Sequence, residues 1–331
     1  MRHHLRRVGL VLAYLLALLA CCEFAARRIE QRLGMFYYAS YDGGGTPWAT
    51  TAFRPSQQLG WEHVPNVYDF NSLGFRNPEY PQDKNQKIYR VALLGDSLAE
   101  SYGNDLREHI QTRWIGAKKI ELWNMGVGSY NIAQIASMLE LRGMQYHPNL
   151  VVLFICLKDL DPGIPTLYKT KKHLLALVWQ GTAPFALAFH PLWPHCAFYR
   201  LIALRNLQRK MNEPPHHPLP RREIFGAEQL ARIQTLCRRK NVPLVAFLFP
   251  YLKPLRDYSP DQRSDYGIWL SLLRKKGIRY FDLHARFDGR ATLGMRDTPG
   301  DYIHLNAPSR REAMRRVYDI LHQEYFVRLS S

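Results

Sequence analysis

The stretch IYRVALLGDSL, residues 88–98, joins an apolar run to a tight turn and decides the fold. The run at 88–94 is typical of a buried strand, and the Gly95-Asp96 pair that follows is typical of a turn into a helix. A serine at such a turn lies above the edge of the sheet, where the amides of a helix N-terminus favour developing negative charge. Ser97 is therefore a candidate nucleophile, and its own amide is a candidate oxyanion donor. The alternative is a Gly-Asp-Ser sequence that only caps a helix.

The same strand-then-helix pattern recurs along the chain. Such alternation predicts a parallel sheet with helices on both faces and a ligand site at the carboxyl ends of the strands. Further apolar runs predict buried strands at 120–123, 150–156, 244–249 and 278–283, and helical spacing predicts helices at 132–144, 227–239, 268–276 and 310–325.

The composition describes a basic, folded chain. The 331 residues include 45 Lys and Arg against 28 Asp and Glu, a net charge of +17, and 47% are hydrophobic, which excludes a disordered chain. The basic residues accompany no nucleic-acid-binding module, so no nucleic acid is expected as a partner. Their expected counterpart is lipid phosphate or an anionic glycan, and a solvated basic surface is the alternative.

The N-terminus predicts a membrane segment. An uncharged apolar run at 8–22 follows Arg2, Arg6 and Arg7, which favours a single-pass signal anchor over residues 1–30 in the cytoplasmic (inner) membrane. The rest of the chain is then expected on the periplasmic side. The sequence LLAC at 18–21 resembles a lipobox, so lipidation is an alternative. Whether the anchor is retained or cleaved stays open.

After the predicted anchor, glycine and proline content divides the sequence into a loop-rich segment and a domain with an insertion. Residues 31–87 are loop-rich because glycines and prolines interrupt them, and residues 88–331 form the domain that carries the predicted sheet. An insertion at about 163–222, aromatic and then proline-rich, interrupts that domain. It predicts a helical cap over the site, a membrane-facing surface, or a helical pair packed at the edge of the sheet.

A second chemical cluster, GDYIHLN at 300–306, precedes the last predicted helix. Asp301 and His304 are spaced so that the carboxylate can accept the Nδ1 proton of the imidazole, which leaves Nε2 free to take a proton from a serine. The alternatives are a loop pair that caps the helix or half of a metal site. A separate group of histidines lacks metal-ligand spacing, so no metal is expected; it consists of His190, His195, His216 and His217. No nucleotide or flavin motif occurs, so no cofactor is expected either.

In this order the motifs resemble those of the SGNH hydrolases, also called GDSL lipases and esterases, over about residues 88–326. The resemblance implies a flavodoxin-like three-layer sandwich with Ser97 as nucleophile, His304 as general base and then acid, and Asp301 as its orienting partner. The sequence NMGVGSY at 124–130 resembles the second block of the family, which implies an oxyanion amide from Ser129, with Gly128 as the alternative register.

One position departs from the family pattern. The third block ends in Gly-x-Asn-Asp, whose asparagine donates to the oxyanion, and this chain has CLKD at 156–159, with Lys158 in place of that asparagine. The Lys158 ammonium either replaces the amide as an oxyanion donor, or points to solvent or pairs with Asp159 or Asp161.

The residues and the resemblance together predict a serine esterase or O-acyltransferase that acts on acyl esters, expected to be acetyl esters of an envelope glycan, through an acyl-serine intermediate. The sequence NSLGFR at 71–76 resembles a segment of membrane-anchored envelope members, some of them linked to polysaccharide acylation. A transferase would also need a membrane acyl-donor partner. The alternatives are a catalytically impaired protein that binds a glycan or a partner, and a lysophospholipase or thioesterase.

Overall fold

The computed structural model describes residues 2–33, 53–56, 58–162, 167–169, 174–176, 196–199, 201–202, 221–284, 292–298 and 300–329. Most of the predicted insertion and its four histidines lie outside these residues. The chain divides into two compact units, one of Met1–Glu62 with Ile164–Pro218 and one of His63–Gly163 with Leu219–Ser331. The candidate site lies in the second unit.

The first unit contains a long N-terminal helix and short strands. Helix α1 (Arg2–Leu33) includes a segment, Arg6–Ile29, that is long and apolar enough to cross a membrane, and a secretory signal would meet the same criterion. Its large apolar side chains, among them Leu10, Tyr14 and Leu16, are exposed. Strands β1 (Phe53–Ser56) and β2 (Gly60–His63) form one small sheet, and β6 (Leu167–Lys169) and β7 (Leu174–Ala176) form an antiparallel pair.

The second unit is built on a five-stranded parallel sheet. Its strands are β3 (Ile88–Leu94), β4 (Lys119–Asn124), β5 (Leu150–Cys156), β8 (Leu244–Phe249) and β9 (Arg279–Asp282), in the order β4-β3-β5-β8-β9. Numbered along this sheet the order is 2-1-3-4-5, the flavodoxin-like arrangement. Every residue of β3 and β5 is buried, as expected for central strands covered on both faces.

Helices cover the sheet in two groups. Strands β4 and β5 lie on opposite sides of β3, so the connection from β3 to β4 and the connection from β4 to β5 run in opposite directions along the sheet. Because crossovers between parallel strands are right-handed, the helices in these two connections are expected on opposite faces. In agreement, α2 (Ser97–Arg113) contacts α6 (Ala307–Leu321), whereas α4 (Arg222–Arg239) contacts both α3 (Ile132–Met138) and α5 (Pro260–Lys275). The predicted fold class, a three-layer α/β sandwich with a parallel sheet, is confirmed.

The predicted strands agree with the structure to within one residue at each end, and the helices differ more. The helix predicted at 132–144 is α-helical only to Met138 and continues as a wider turn. It ends at His147, which has a left-handed φ of 50° and is followed by Pro148. The helix predicted at 268–276 starts at Pro260 because Ser259 and Gln262 form a capping box. The helix predicted at 310–325 starts at Ala307, where Asn306 is the N-cap.

The turn after β3 depends on a glycine. Gly95 has a φ of +154°, and a Cβ there would lie 2.8 Å from the Phe154 carbonyl oxygen. We expect Gly95→Ala to lower the free energy of unfolding by at least about 2 kcal/mol, through backbone strain and overpacking. Gly267 in α5 is the control, because a Cβ there would have nothing within 4 Å, and Gly267→Ala should raise stability by about 0.5–1 kcal/mol. Urea titration measures both changes, and an unchanged midpoint for Gly95→Ala would contradict the prediction.

Candidate active site

Ser97 is held at the carboxyl edge of the sheet by the start of α2. Asp96 is the N-cap residue, and its Oδ1 accepts a hydrogen bond from the Leu98 amide at 2.9 Å. Ser97 is the first residue of the helix and is half-buried. The local sequence therefore orients the Ser97 hydroxyl and amide at a helix N-terminus, where a negative charge is stabilised.

The Ser97 hydroxyl meets an imidazole from the C-terminal part of the chain. Ser97 Oγ lies 2.8 Å from His304 Nε2, and His304 Nδ1 lies 2.7 Å from Asp301 Oδ2. Since a carboxylate only accepts, Nδ1 carries the proton of that contact, and Nε2 of the neutral ring accepts from the serine hydroxyl. The arrangement allows a proton to pass from Ser97 to His304 as the oxygen attacks an electrophile.

Asp301 is fixed as an ionised partner of the imidazole. Its Oδ1 accepts hydrogen bonds from the amides of Ile303 and His304, at 2.8 and 3.0 Å. Burial alone would raise the pKa of Asp301, but these two amides and the imidazole hold that pKa below its usual value. A carboxylate that stays ionised can stabilise the imidazolium formed during proton transfer.

The loop that carries Asp301 and His304 is tied to the sheet and to α2. The Leu252 amide, just beyond β8, donates to the Tyr302 carbonyl at 2.7 Å, and the Asp297 amide donates to the His304 carbonyl at 2.9 Å. The Leu305 amide donates to the Tyr102 hydroxyl of α2 at 2.7 Å. These bonds hold the imidazole over the first turn of the nucleophile helix.

The loop after β4 approaches the same turn. The Gly126 amide donates to Asn124 Oδ1 at 3.1 Å, the Val127 amide donates to the Gly95 carbonyl at 3.2 Å, and a Cβ at Gly126 would lie 2.3 Å from the Glu100 amide nitrogen. This close approach explains the glycine in the second motif.

The two candidate oxyanion amides of the second motif, those of Gly128 and Ser129, differ in their contacts. The Gly128 amide donates to Glu100 Oε2 at 2.6 Å, so in this arrangement it already has an acceptor within the protein. Ser129 follows with a φ of 65°, a left-handed conformation that costs a non-glycine residue about 1 kcal/mol. Ser129 therefore remains the candidate amide donor of this loop.

Lys158 lies beside the nucleophile turn and contacts two buried carboxylates. Its Nζ lies 2.6 Å from Asp96 Oδ2 and 3.4 Å from Asp159 Oδ1, and its side chain is 33% exposed. Burial would lower the pKa of Lys158, but Asp96 and then Asp159 hold it well above the ordinary lysine value. Burial and the nearby Asp96 raise the pKa of Asp159 well above its usual range. The pairing with Asp159 was among the sequence alternatives, whereas Asp96 was not.

A cluster of possible metal ligands surrounds this lysine. Asp96, Cys156 and Asp159 bring one ligand atom each to within 4.8 Å of one another. The Lys158 ammonium already supplies the positive charge that the carboxylates need, and burial raises the pKa of the Cys156 thiol well above its usual value, which disfavours the thiolate. The chemistry of this cluster fits an ion pair rather than a metal site.

Sequence reasoning missed two buried groups at the site. Glu100 lies one helical turn after Ser97 and is buried, and His63, from the segment predicted as loop-rich, is buried against it. A charged residue at an otherwise apolar helix position was a signal for Glu100. No sequence signal indicated His63, because its contact depends on the path of the chain between 63 and 100.

Comparison with known proteins gives structural matches only. No family model and no curated protein matches the chain. An acetyl xylan esterase is similar at 16% identity and a TM-score of 0.40, with 71% of this chain and 99% of that chain covered. A GDSL-like lipase from Bacteroides thetaiotaomicron is similar at 9% identity and a TM-score of 0.41, with 74% and 92% covered. An acetylxylan esterase from Geobacillus stearothermophilus, solved as a catalytic mutant, is similar at 12% identity and a TM-score of 0.44, with 71% and 93% covered.

The ion pairs of Lys158 predict a stability effect that depends on pH. Lys158→Met would leave two buried carboxylates without their counter-charge, and we expect the free energy of unfolding at pH 7 to fall by about 3 kcal/mol. The deficit relative to the wild type should shrink as the pH falls, because Lys158 lowers the pKa of Asp159. Without Lys158 that pKa rises further, so the folded variant takes up a proton at a higher pH than the folded wild type does. Denaturant titration at pH 5 and pH 7 measures this. A deficit that stays constant or grows at pH 5 would contradict it.

Proposed function

We propose that the chain is an SGNH-type serine ester hydrolase in which Ser97, His304 and Asp301 are the catalytic residues. The observation that carries the proposal is the continuous chain of contacts from Ser97 Oγ to His304 Nε2 at 2.8 Å and from His304 Nδ1 to Asp301 Oδ2 at 2.7 Å. This is the order of groups that nucleophilic acyl transfer needs, and it agrees with the motif order in the sequence.

The reaction follows from these contacts in two steps. Ser97 Oγ attacks the carbonyl carbon of an ester while His304 Nε2 takes the hydroxyl proton, and the tetrahedral intermediate then expels an alcohol that receives this proton from His304. The acyl group remains on Ser97. In the second step His304 takes a proton from an acceptor, water or a sugar hydroxyl, which attacks the acyl-serine and releases the acid or the new ester, and Ser97 regains its proton.

The negative oxygen of the intermediate needs donors near Ser97. We propose the amides of Ser97 and Ser129, with the Lys158 ammonium as the third donor in place of the family asparagine. An ammonium has three protons, and two of them suffice for the contacts with Asp96 and Asp159, so one is left to point toward an oxyanion.

For the substrate we propose an acetyl ester of an envelope glycan. The basic net charge of the chain, +17, suits an anionic polymer, and the exposed apolar surface of the Arg6–Ile29 segment suits a helix in contact with lipid. In this proposal α1 anchors the chain in the cytoplasmic membrane with the sheet-bearing unit on the periplasmic side. A transferase would take its acyl group from a membrane acyl-donor partner, and a hydrolase would use water.

The nucleophile assignment predicts the behaviour of one variant. Wild-type protein should hydrolyse a chromogenic acetyl ester faster than the decanoyl ester and should be labelled by a fluorophosphonate, because an acetyl-sized pocket excludes long chains. Ser97→Ala should abolish labelling and lower kcat by at least about 10⁴-fold. Ser101→Ala is the control at a neighbouring serine of the same helix. Preserved labelling of Ser97→Ala would remove this serine from the mechanism, and preference for long acyl chains would favour the lysophospholipase or thioesterase alternative.

The pairing of Lys158 also supports a second function. An ammonium bound to two carboxylates is a weaker donor to an oxyanion, and a chain that lacks a working third donor would bind a glycan or a partner protein with little turnover.

The variant Lys158→Asn separates these two functions, since it restores the residue of the family pattern. If Lys158 donates to the oxyanion, we expect kcat per labelled active site to fall about 10- to 100-fold. A rise of the same size would instead favour the impaired, binding function. In both cases kcat is calculated from the concentration of active sites, which is determined by fluorophosphonate labelling.

A further inference from the structure

Glu100 connects the nucleophile helix to the loop that precedes Ser129. The Gly128 amide donates to Glu100 Oε2 at 2.6 Å, a short bond typical of a charged acceptor. Glu100 is 2% exposed and lies one helical turn after Ser97 in α2. The position of the Gly128 peptide is therefore fixed relative to the same helical turn that presents the Ser97 hydroxyl.

His63 holds the Glu100 carboxylate from the other side. His63 Nε2 lies 3.2 Å from the same Oε2 atom, and Nδ1 lies 3.2 Å from the Gly74 carbonyl oxygen. Since a carbonyl only accepts, Nδ1 is the donor of the contact with Gly74. The His63 ring stacks on Phe70 at 3.9 Å between centroids, which fixes its plane.

The loop between β4 and α3 is anchored on both sides of Gly128, and after it the Tyr130 amide donates to the Val127 carbonyl at 3.2 Å. The bonds of Gly126 to Asn124 and of Val127 to Gly95 fix its first half, and the bond to Glu100 is at the residue that directly precedes Ser129. The peptide that joins Gly128 to Ser129 contains the Ser129 amide, so a rotation at Gly128 would change the direction of that amide.

We propose that Glu100 and His63 are positioning residues, which hold the Gly128 peptide so that the Ser129 amide points toward the oxyanion formed at Ser97. This inference rests on the proposed function and adds to it the role of a buried pair that takes no part in proton transfer. Burying a carboxylate is costly unless it is paired, and here the pair supplies a short, directional acceptor that an apolar side chain lacks.

Three variants test the two residues. Glu100→Gln keeps an uncharged oxygen at the Oε2 position for both the Gly128 amide and His63 Nε2, Glu100→Met removes this acceptor, and His63→Phe keeps the stacking on Phe70 but removes both ring nitrogens. The control is Ile110→Ala, a buried position near the other end of the same helix, where the lost side chain should lower stability.

The expected result is a change in kcat with little change in KM. On the chromogenic acetyl ester, Glu100→Met and His63→Phe should lower kcat per fluorophosphonate-labelled site about 10- to 100-fold with KM within about 3-fold, since a misplaced donor affects the transition state more than substrate binding. Glu100→Gln should stay within about 5-fold of the wild type. Ile110→Ala should lower the Tm but keep the wild-type kcat per labelled site.

A second readout does not depend on activity. Hydrogen exchange of the peptide that covers 125–130 should become faster in Glu100→Met and His63→Phe but not in Ile110→Ala. Unchanged exchange in the first two variants, an unchanged kcat in Glu100→Met, or an equal loss of kcat in Ile110→Ala would each overturn the positioning role. If the wild type neither labels nor turns over the ester, the proposed function fails, whereas altered exchange would still show that the pair holds the loop.

Discussion

The contact between Ser97 Oγ and His304 Nε2 joins residues 207 positions apart, and the rest of the candidate site depends on it. It exists because α2 and α6 pack on the same face of the sheet and both begin at its carboxyl edge. The Tyr102 hydroxyl of α2 then holds the loop that carries His304 in place by accepting a hydrogen bond from the Leu305 amide. Burial raises the pKa of Tyr102, which favours the neutral phenol.

Buried charges around the nucleophile helix are balanced locally. Asp96 and Asp159 share Lys158, and Glu100 contacts His63, so each carboxylate beside the first turn lies next to a basic side chain. Asp301 is stabilised differently, by two amides and the imidazole that it orients. The groups involved come from four short segments of the chain, so the carboxylates nearest Ser97 are compensated by neighbouring groups.

The sequence was sufficient to predict the sheet and the three side chains, Ser97, His304 and Asp301, that the structure brings into contact. Continuous apolar runs such as Ile88–Leu94 have few structural alternatives, and motifs that follow strands meet at one edge of a parallel sheet. The partners of these residues were harder to predict. The contact of Lys158 with Asp96 requires β5 to lie beside β3, with Leu153 opposite Leu94, and the contact of His63 with Glu100 requires a loop path that no periodicity encodes. The start of α6 differs from the prediction because Asn306, the last residue of the GDYIHLN motif, is also the N-cap of the helix.

The ion pairs of Lys158 also explain how a lysine fits at the asparagine position of the family pattern. An isolated ammonium would add a full positive charge next to the nucleophile, whereas the family amide is neutral. The two neighbouring carboxylates offset that charge, since Lys158 Nζ lies 2.6 Å from Asp96 Oδ2 and 3.4 Å from Asp159 Oδ1. In the proposed mechanism the ammonium would then be a donor whose charge is partly compensated, which is closer to an amide than to a free lysine. The carboxylates also restrain the flexible lysine stem, so the loss of preorganisation expected from an asparagine-to-lysine exchange is smaller than the side chain alone suggests.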